Sequence, residues 1–166
     1  MRLPWIAPFS LYSERPKEFA SENLVLEKIS SETKLSKKQR DGLGWHQKQA
    51  KQAEGKNYVG TINRAQQAFH FERNYFARSM NDLDLNLESK YYQIAIAKAK
   101  INEAYTTATS KESGLKSYTG TIFYIQSTRK YYTAICETNE PSNIPPSLPW
   151  LEGEEIHCPA GSSLLR

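Results

Sequence analysis

The chain has 166 residues, 24% of them charged and 39% hydrophobic, and a formal net charge of +4. That profile fits one domain with a sizeable core and an appendage. No apolar run approaches the ~18 residues a spanning helix needs. The start, MRLPWIAPFSLYSERPKEF, contains no apolar stretch of signal-peptide length, so no segment is expected to send the chain across a membrane.

The first elements, residues 1–44, read as an N-terminal arm and short helix. Pro4, Pro8 and Pro16 exclude a long helix from residues 1–17. PKEFASENLVLEKISSE places Phe19, Glu22, Leu26 and Ile29 on one helical stripe. SKKQRDGLG then reads as a hinge, broken by Gly42 and Gly44.

A long helix is expected from about Trp45 to His70. At 100° per residue, Tyr58, Ile62, Ala65 and Phe69 form its apolar stripe, with Asn63, Arg64 and Gln67 off it. Backwards, the same stripe meets Gly55, Glu54, Lys51 and Gln47, so the lower half should lack a core to pack on. Gly60, beside the stripe, could let a strand approach closely.

Residues 34–56 carry seven basic side chains and two acidic ones, whereas residues 57–166 are balanced. A solvated helix face explains this. The functional alternative is a patch for anionic partners built on Lys48, Lys51 and Lys56. Trp45 is the one aromatic residue among these bases, so a base-stacking surface for nucleic acid is unsupported.

Beyond the helix, FERNYFARSMNDLDLNLES reads as a connector whose Tyr75, Phe76, Leu83, Leu85 and Leu87 can seal a sheet edge. YYQIAIAKA alternates as a strand, EAYTTATS is a second, and YTGTIFYIQ and KYYTAICE form a hairpin around STRK. The expected fold is therefore α+β: a roll with one long helix packed on a four-stranded antiparallel sheet, spanning residues 45–166. YVGTI at 58 and YTGTI at 118 are one helical and one strand segment, not a repeat.

Cys136 and Cys158 bracket a loop containing Pro141, Pro145, Pro146 and Pro149, with no strand pattern of its own. They are either two unrelated buried thiols or a disulfide. A disulfide is favoured, because such a loop cannot pair regularly with a sheet and needs another tie. The bond would imply an oxidising compartment.

Catalytic signals are sparse. Ser113 and Lys116 have a Ser-x-x-Lys spacing, but in a turn rather than at a helix start. His157, Cys158 and Cys136, with His46 or His70, could ligate zinc, yet neither CxxC nor HxxxH spacing occurs. Glu152, Glu154 and Glu155 read as solvated loop residues. No enzyme activity, cofactor or metal is expected.

The stretches AKQAEGKNYVGTINRAQQAFHFERNYFA, LDLNL, GLKSYTGTIFYI, AICE and CPAG together resemble the cyanobacterial type IV pilin-like G/H family. That family is related to the pseudopilin called general secretion pathway protein H. The resemblance spans residues 46–166 and is most specific at INRAQQAF. It implies a long helix whose upper half packs on the sheet while its lower half protrudes, and paired cysteines closing a C-terminal loop. It also implies a non-enzymatic structural protein whose partners are other protein subunits.

The family's leader, its GFTLIE-type segment and its apolar helix are not matched by residues 1–45. The alternative is thus a pilin-like adaptor gripping a larger complex through Trp5, Ile6, Phe9, Leu11 and Tyr12 of the arm. A surface or periplasmic location would follow from the disulfide and the pilin reading, a cytoplasmic-side one from Met1 as the true start.

Overall fold

A computed structural model describes residues 37–165. Residues from Gly44 onward form one compact unit. Helix α1 runs from Lys37 to Arg73 and a 3-10 turn from Asn81 to Leu83. Strands follow at Tyr92–Ala99 (β1), Glu103–Ser110 (β2), Tyr118–Ile125 (β3), Lys130–Thr138 (β4), Trp150–Glu152 (β5), Glu155–His157 (β6) and Ser162–Leu164 (β7).

The helix is longer than its sequence suggests. Gly42 and Gly44, read as breakers, lie inside it. A glycine within a helix costs only about 1 kcal/mol relative to alanine, and the Lys, Gln and Ala residues around these two are strong helix formers. What ends α1 is Asn74, in the left-handed region at φ 62°. Its N–H donates to the His70 carbonyl at 2.8 Å, satisfying an otherwise open helix terminus.

The sheet has five strands rather than four, in the order β1-β2-β3-β4-β7, all antiparallel. The addition is β7, which pairs Ser162–Leu164 with Thr138–Cys136. Three residues are too few to show an alternating pattern. The Pro-rich segment also holds a strand pair that its sequence conceals: β5 and β6 form a separate hairpin turning at Gly153.

Alternation along β3 points Tyr118, Gly120 and Ile122 at the helix, with Thr119, Thr121 and Phe123 opposite. Helix and sheet enclose Val59, Tyr92, Ala108, Leu115 and Tyr118, with Phe76, Ala104 and Ile122 as a second cluster. On the far face, the Thr119 hydroxyl donates to the Pro146 carbonyl at 2.6 Å. The Pro-rich segment thus lies across the sheet from α1.

The face α1 buries differs from the apolar stripe of the sequence. Ile62 is fully buried, but Tyr58, Ala65 and Phe69 are only half-buried. Gln52, Gly55, Val59, Asn63, Gln66 and His70 take the interior instead. Packing therefore reaches further down than expected, to Gln52. Below it, residues 43–50 are exposed apart from half-buried Lys48.

Two close approaches set this interface. A Cβ on Gly120 would stand 2.2 Å from Val59 Cγ1, and one on Gly55 would stand 2.7 Å from the Tyr92 ring. Gly60 has no such neighbour; its nearest is Arg64 at 3.5 Å. The close-approach glycine is Gly55, one turn lower, where Tyr92 enters from the edge strand.

The buried polar residues each reach main chain outside the helix. Gln52 accepts from Lys116 N–H at 3.2 Å. Asn63 Nδ2 donates to the carbonyls of Thr121 (3.2 Å) and Ala134 (3.3 Å). Gln66 pairs with both the N–H and the C=O of Ala77, at 2.8 and 2.9 Å. His70 Nε2 meets the Ile101 carbonyl at 3.0 Å. Only Asn63 Oδ1 lacks a partner among the described residues.

Candidate interaction surface

The sequence-level catalytic candidates do not converge. Ser113 is exposed in the turn after β2. Lys116 Nζ is 3.0 Å from Glu137 Oε1, so its amine is engaged in an ion pair. The zinc candidates are likewise committed. Cys136 and Cys158 are joined in a disulfide with Cα atoms 5.7 Å apart, and His46 is exposed on α1. Among the described residues no group of three His, Cys, Asp or Glu side chains could hold a metal ion.

His70, another candidate ligand, is a packed structural residue, 4% exposed. Phe76 and Tyr124 lie 4.4 and 4.5 Å from its ring, and Tyr131 edge-on at 5.5 Å. A carbonyl can only accept, so Nε2 carries the proton to Ile101. Nδ1 then accepts from the Tyr131 hydroxyl at 2.8 Å. The neutral ring satisfies both contacts.

Burial lowers the His70 pKa from its ordinary value, outweighing the hydrogen bond to Ile101, which raises it. The unfolded chain therefore takes up a proton more readily than the folded one. Stability should be full above pH ~6.5, the unfolded value, and fall as the pH drops below it, levelling off under the folded pKa. Urea denaturation across this range should show the decline, and His70→Gln should flatten it. Equal slopes in both proteins would contradict the assignment.

Of the basic residues on α1, Lys51 is internally paired, 2.6 Å from Glu112 and 4.5 Å over the Tyr91 ring. Lys48 and Lys56 have no ion pair among the described residues, and Lys56 is exposed. The arm residues Trp5, Ile6, Phe9, Leu11 and Tyr12 lie outside the described residues.

Two further features stand out. An open groove of about 1070 Å³ runs between the β1–β2 and β3–β4 turns, lined by Arg78, Lys100, Ile101, Asn102, Phe123 and Gln126. Its one carboxylate, Glu103, is occupied by Lys100 (2.7 Å), Lys98 (3.4 Å) and the Tyr105 hydroxyl (3.0 Å). The second feature is the cysteine-closed segment, where Ile144, Leu148 and Trp150 are exposed and Trp150 stacks on His157. Glu152, Glu154 and Glu155 cluster at its β5–β6 turn. Glu154 accepts from the Tyr132 hydroxyl (2.7 Å) and Lys130 (3.1 Å), which hold its carboxyl below the ordinary range.

These surfaces present apolar and charged side chains but no converging acid, base and nucleophile. Among the described residues, no helix is long and apolar enough to cross a membrane. A family model described as type IV pilin-like G and H matches residues 52–159. No curated protein and no solved structure matches the chain.

Proposed function

The chain belongs to the type IV pilin-like G and H family, and from that premise we propose that it is a non-enzymatic structural subunit that assembles with other pilin-like proteins. The closer kinship is with pseudopilins of the general secretion pathway protein H kind, of cyanobacterial type. One observation carries the reading: the family match spans the packed part of α1, strands β1 to β4 and the disulfide-closed segment. The matched stretch thus covers most of the helix-on-sheet unit rather than a single pocket. In support, α1 below Gln52 exposes Trp45, a side chain suited to packing against another subunit.

A photo-crosslinking residue in place of Trp45, in the full chain inside its native cell, tests this. Adducts to another pilin-like protein are expected, identified by mass spectrometry. Adducts confined to a complex without pilin-like members would move the reading to the adaptor. An absence of adducts would overturn the assembly reading.

A further inference from the structure

The open groove between the β1–β2 and β3–β4 turns continues into a second hollow of about 540 Å³, bounded by Tyr75, Phe76 and Asp82. Arg78, Lys100 and Ile101 line both, so these three form the divide between them. Phe123 and Tyr124 supply aromatic surface on one side of the divide, Tyr75 and Phe76 on the other. Along its length the cleft is thus apolar, then cationic, then apolar again.

Main-chain bonds fix this shape. The Tyr124 N–H donates to the Asn102 carbonyl at 2.9 Å, tying the two turns together, and the Lys100 N–H donates to the Glu103 carbonyl at 2.8 Å. The Asp82 carboxylate accepts from the N–H groups of Arg78 (3.2 Å) and Ser79 (2.9 Å), which holds the connector in place at Arg78. His70 grips the Ile101 carbonyl, so the Ile101 side chain, 67% exposed, is presented from a fixed backbone. A preformed cleft loses little conformational freedom on binding.

Its charges are unevenly satisfied. Both carboxylates are committed, Glu103 to Lys98 and Lys100, and Asp82 to main-chain N–H groups. Arg78 is exposed and has no ion pair among the described residues. The unmatched charge is therefore a guanidinium, whose planar fork suits a carboxylate, and it stands between two apolar hollows.

We propose that this cleft binds an extended acidic peptide of another protein, with a carboxylate on Arg78 and an apolar side chain in each hollow. An extended chain turns alternate side chains to one face, roughly 6.5 Å apart, so the matching pattern is apolar–x–acid–x–apolar. Shape favours a peptide over a small molecule. Small-molecule sites enclose most of their ligand, whereas these hollows are open and run on from one another along the surface. The site does not depend on the assembly reading, because Trp45 lies in the first turns of α1 and every cleft residue follows its last.

Fluorescence anisotropy on the oxidised full chain tests the assignment. The probe is a labelled peptide, phenylalanine–serine–glutamate–serine–phenylalanine, flanked by glycines. Saturable binding that weakens with salt is expected. Glutamine in place of the glutamate should weaken it by roughly tenfold or more, and so should Arg78→Glu. Serine in place of either phenylalanine should have an effect of similar size. Lysine in place of the glutamate should restore binding to Arg78→Glu, a result that damage to the fold cannot produce.

No binding at up to about 1 mM peptide overturns the inference. Equal affinity for the original and altered peptides also overturns it, as does an Arg78→Glu variant that binds like the wild type. Duplex DNA that binds in place of the peptide and is lost with Arg78→Glu would assign the cleft to nucleic acid and overturn it too.

Discussion

Reduction of the Cys136–Cys158 bond is expected to lower the stability of the domain by roughly 3 kcal/mol, the chain-entropy value for a loop of this size. The bond spans 22 positions and closes a segment with little regular pairing of its own, a hairpin of three-residue strands, with the short β7 just beyond it. Without it, Trp150–His157 and Ser162–Leu164 keep only a few ladder bonds against the entropy of a released loop. Urea denaturation with and without reductant measures the effect, and the double variant Cys136→Ser, Cys158→Ser should match the reduced protein. Coincident midpoints for all three would refute the role given to the bond. Intact mass under non-reducing conditions should be lower by two hydrogens than after reduction.

The second large effect is expected at Gln66. Replacing it by methionine keeps the volume and removes both hydrogen bonds to Ala77. Both residues are fully buried, so the Ala77 N–H and C=O would be left unpaired away from water. Each such group costs about 1–3 kcal/mol, which puts Gln66→Met at roughly 2–6 kcal/mol. The conservative core change Ile62→Val should cost about 0.5–1.5 kcal/mol. If equilibrium denaturation showed Gln66→Met to be the milder of the two, the bonds would not be holding the helix-to-strand connector.

These two residues also mark what the sequence makes legible. Strands β2, β3 and β4 could be placed closely because their β-branched and aromatic residues alternate between turn signals. The packing of α1 could not, since an apolar stripe was sought and the buried face is largely polar. Asn63, Gln66 and His70 carry no hydrophobic signal; their spacing of three and four residues was the available clue. Their burial makes sense only once Thr121, Ala77 and Ile101 present main-chain groups to them, and the chain brings those together from distant positions. Gly55 shows the same limit, because its value lies in the Tyr92 ring that reaches it from β1. At the candidate surface, the two cysteines and the lysines were visible, but not the pairing of Lys51 with Glu112. Neither was the exposure of Ile144, Leu148 and Trp150, which depends on which prolines turn inward.

The polar contacts along α1 bear on how the domain would carry a mechanical load. Gln52, Asn63, Gln66 and His70 are anchored to four separate segments: the turn before β3, the centre of β3 and β4, the connector, and the β1–β2 turn. A pull along the helix axis would displace all four at once, and Tyr92 against Gly55 and Val59 against Gly120 would obstruct sliding. Bonds strained together in shear must fail as a group, whereas bonds peeled from one end fail in turn. The helix should therefore behave as a keyed shaft in the sheet, transmitting tension to it and yielding in a single step.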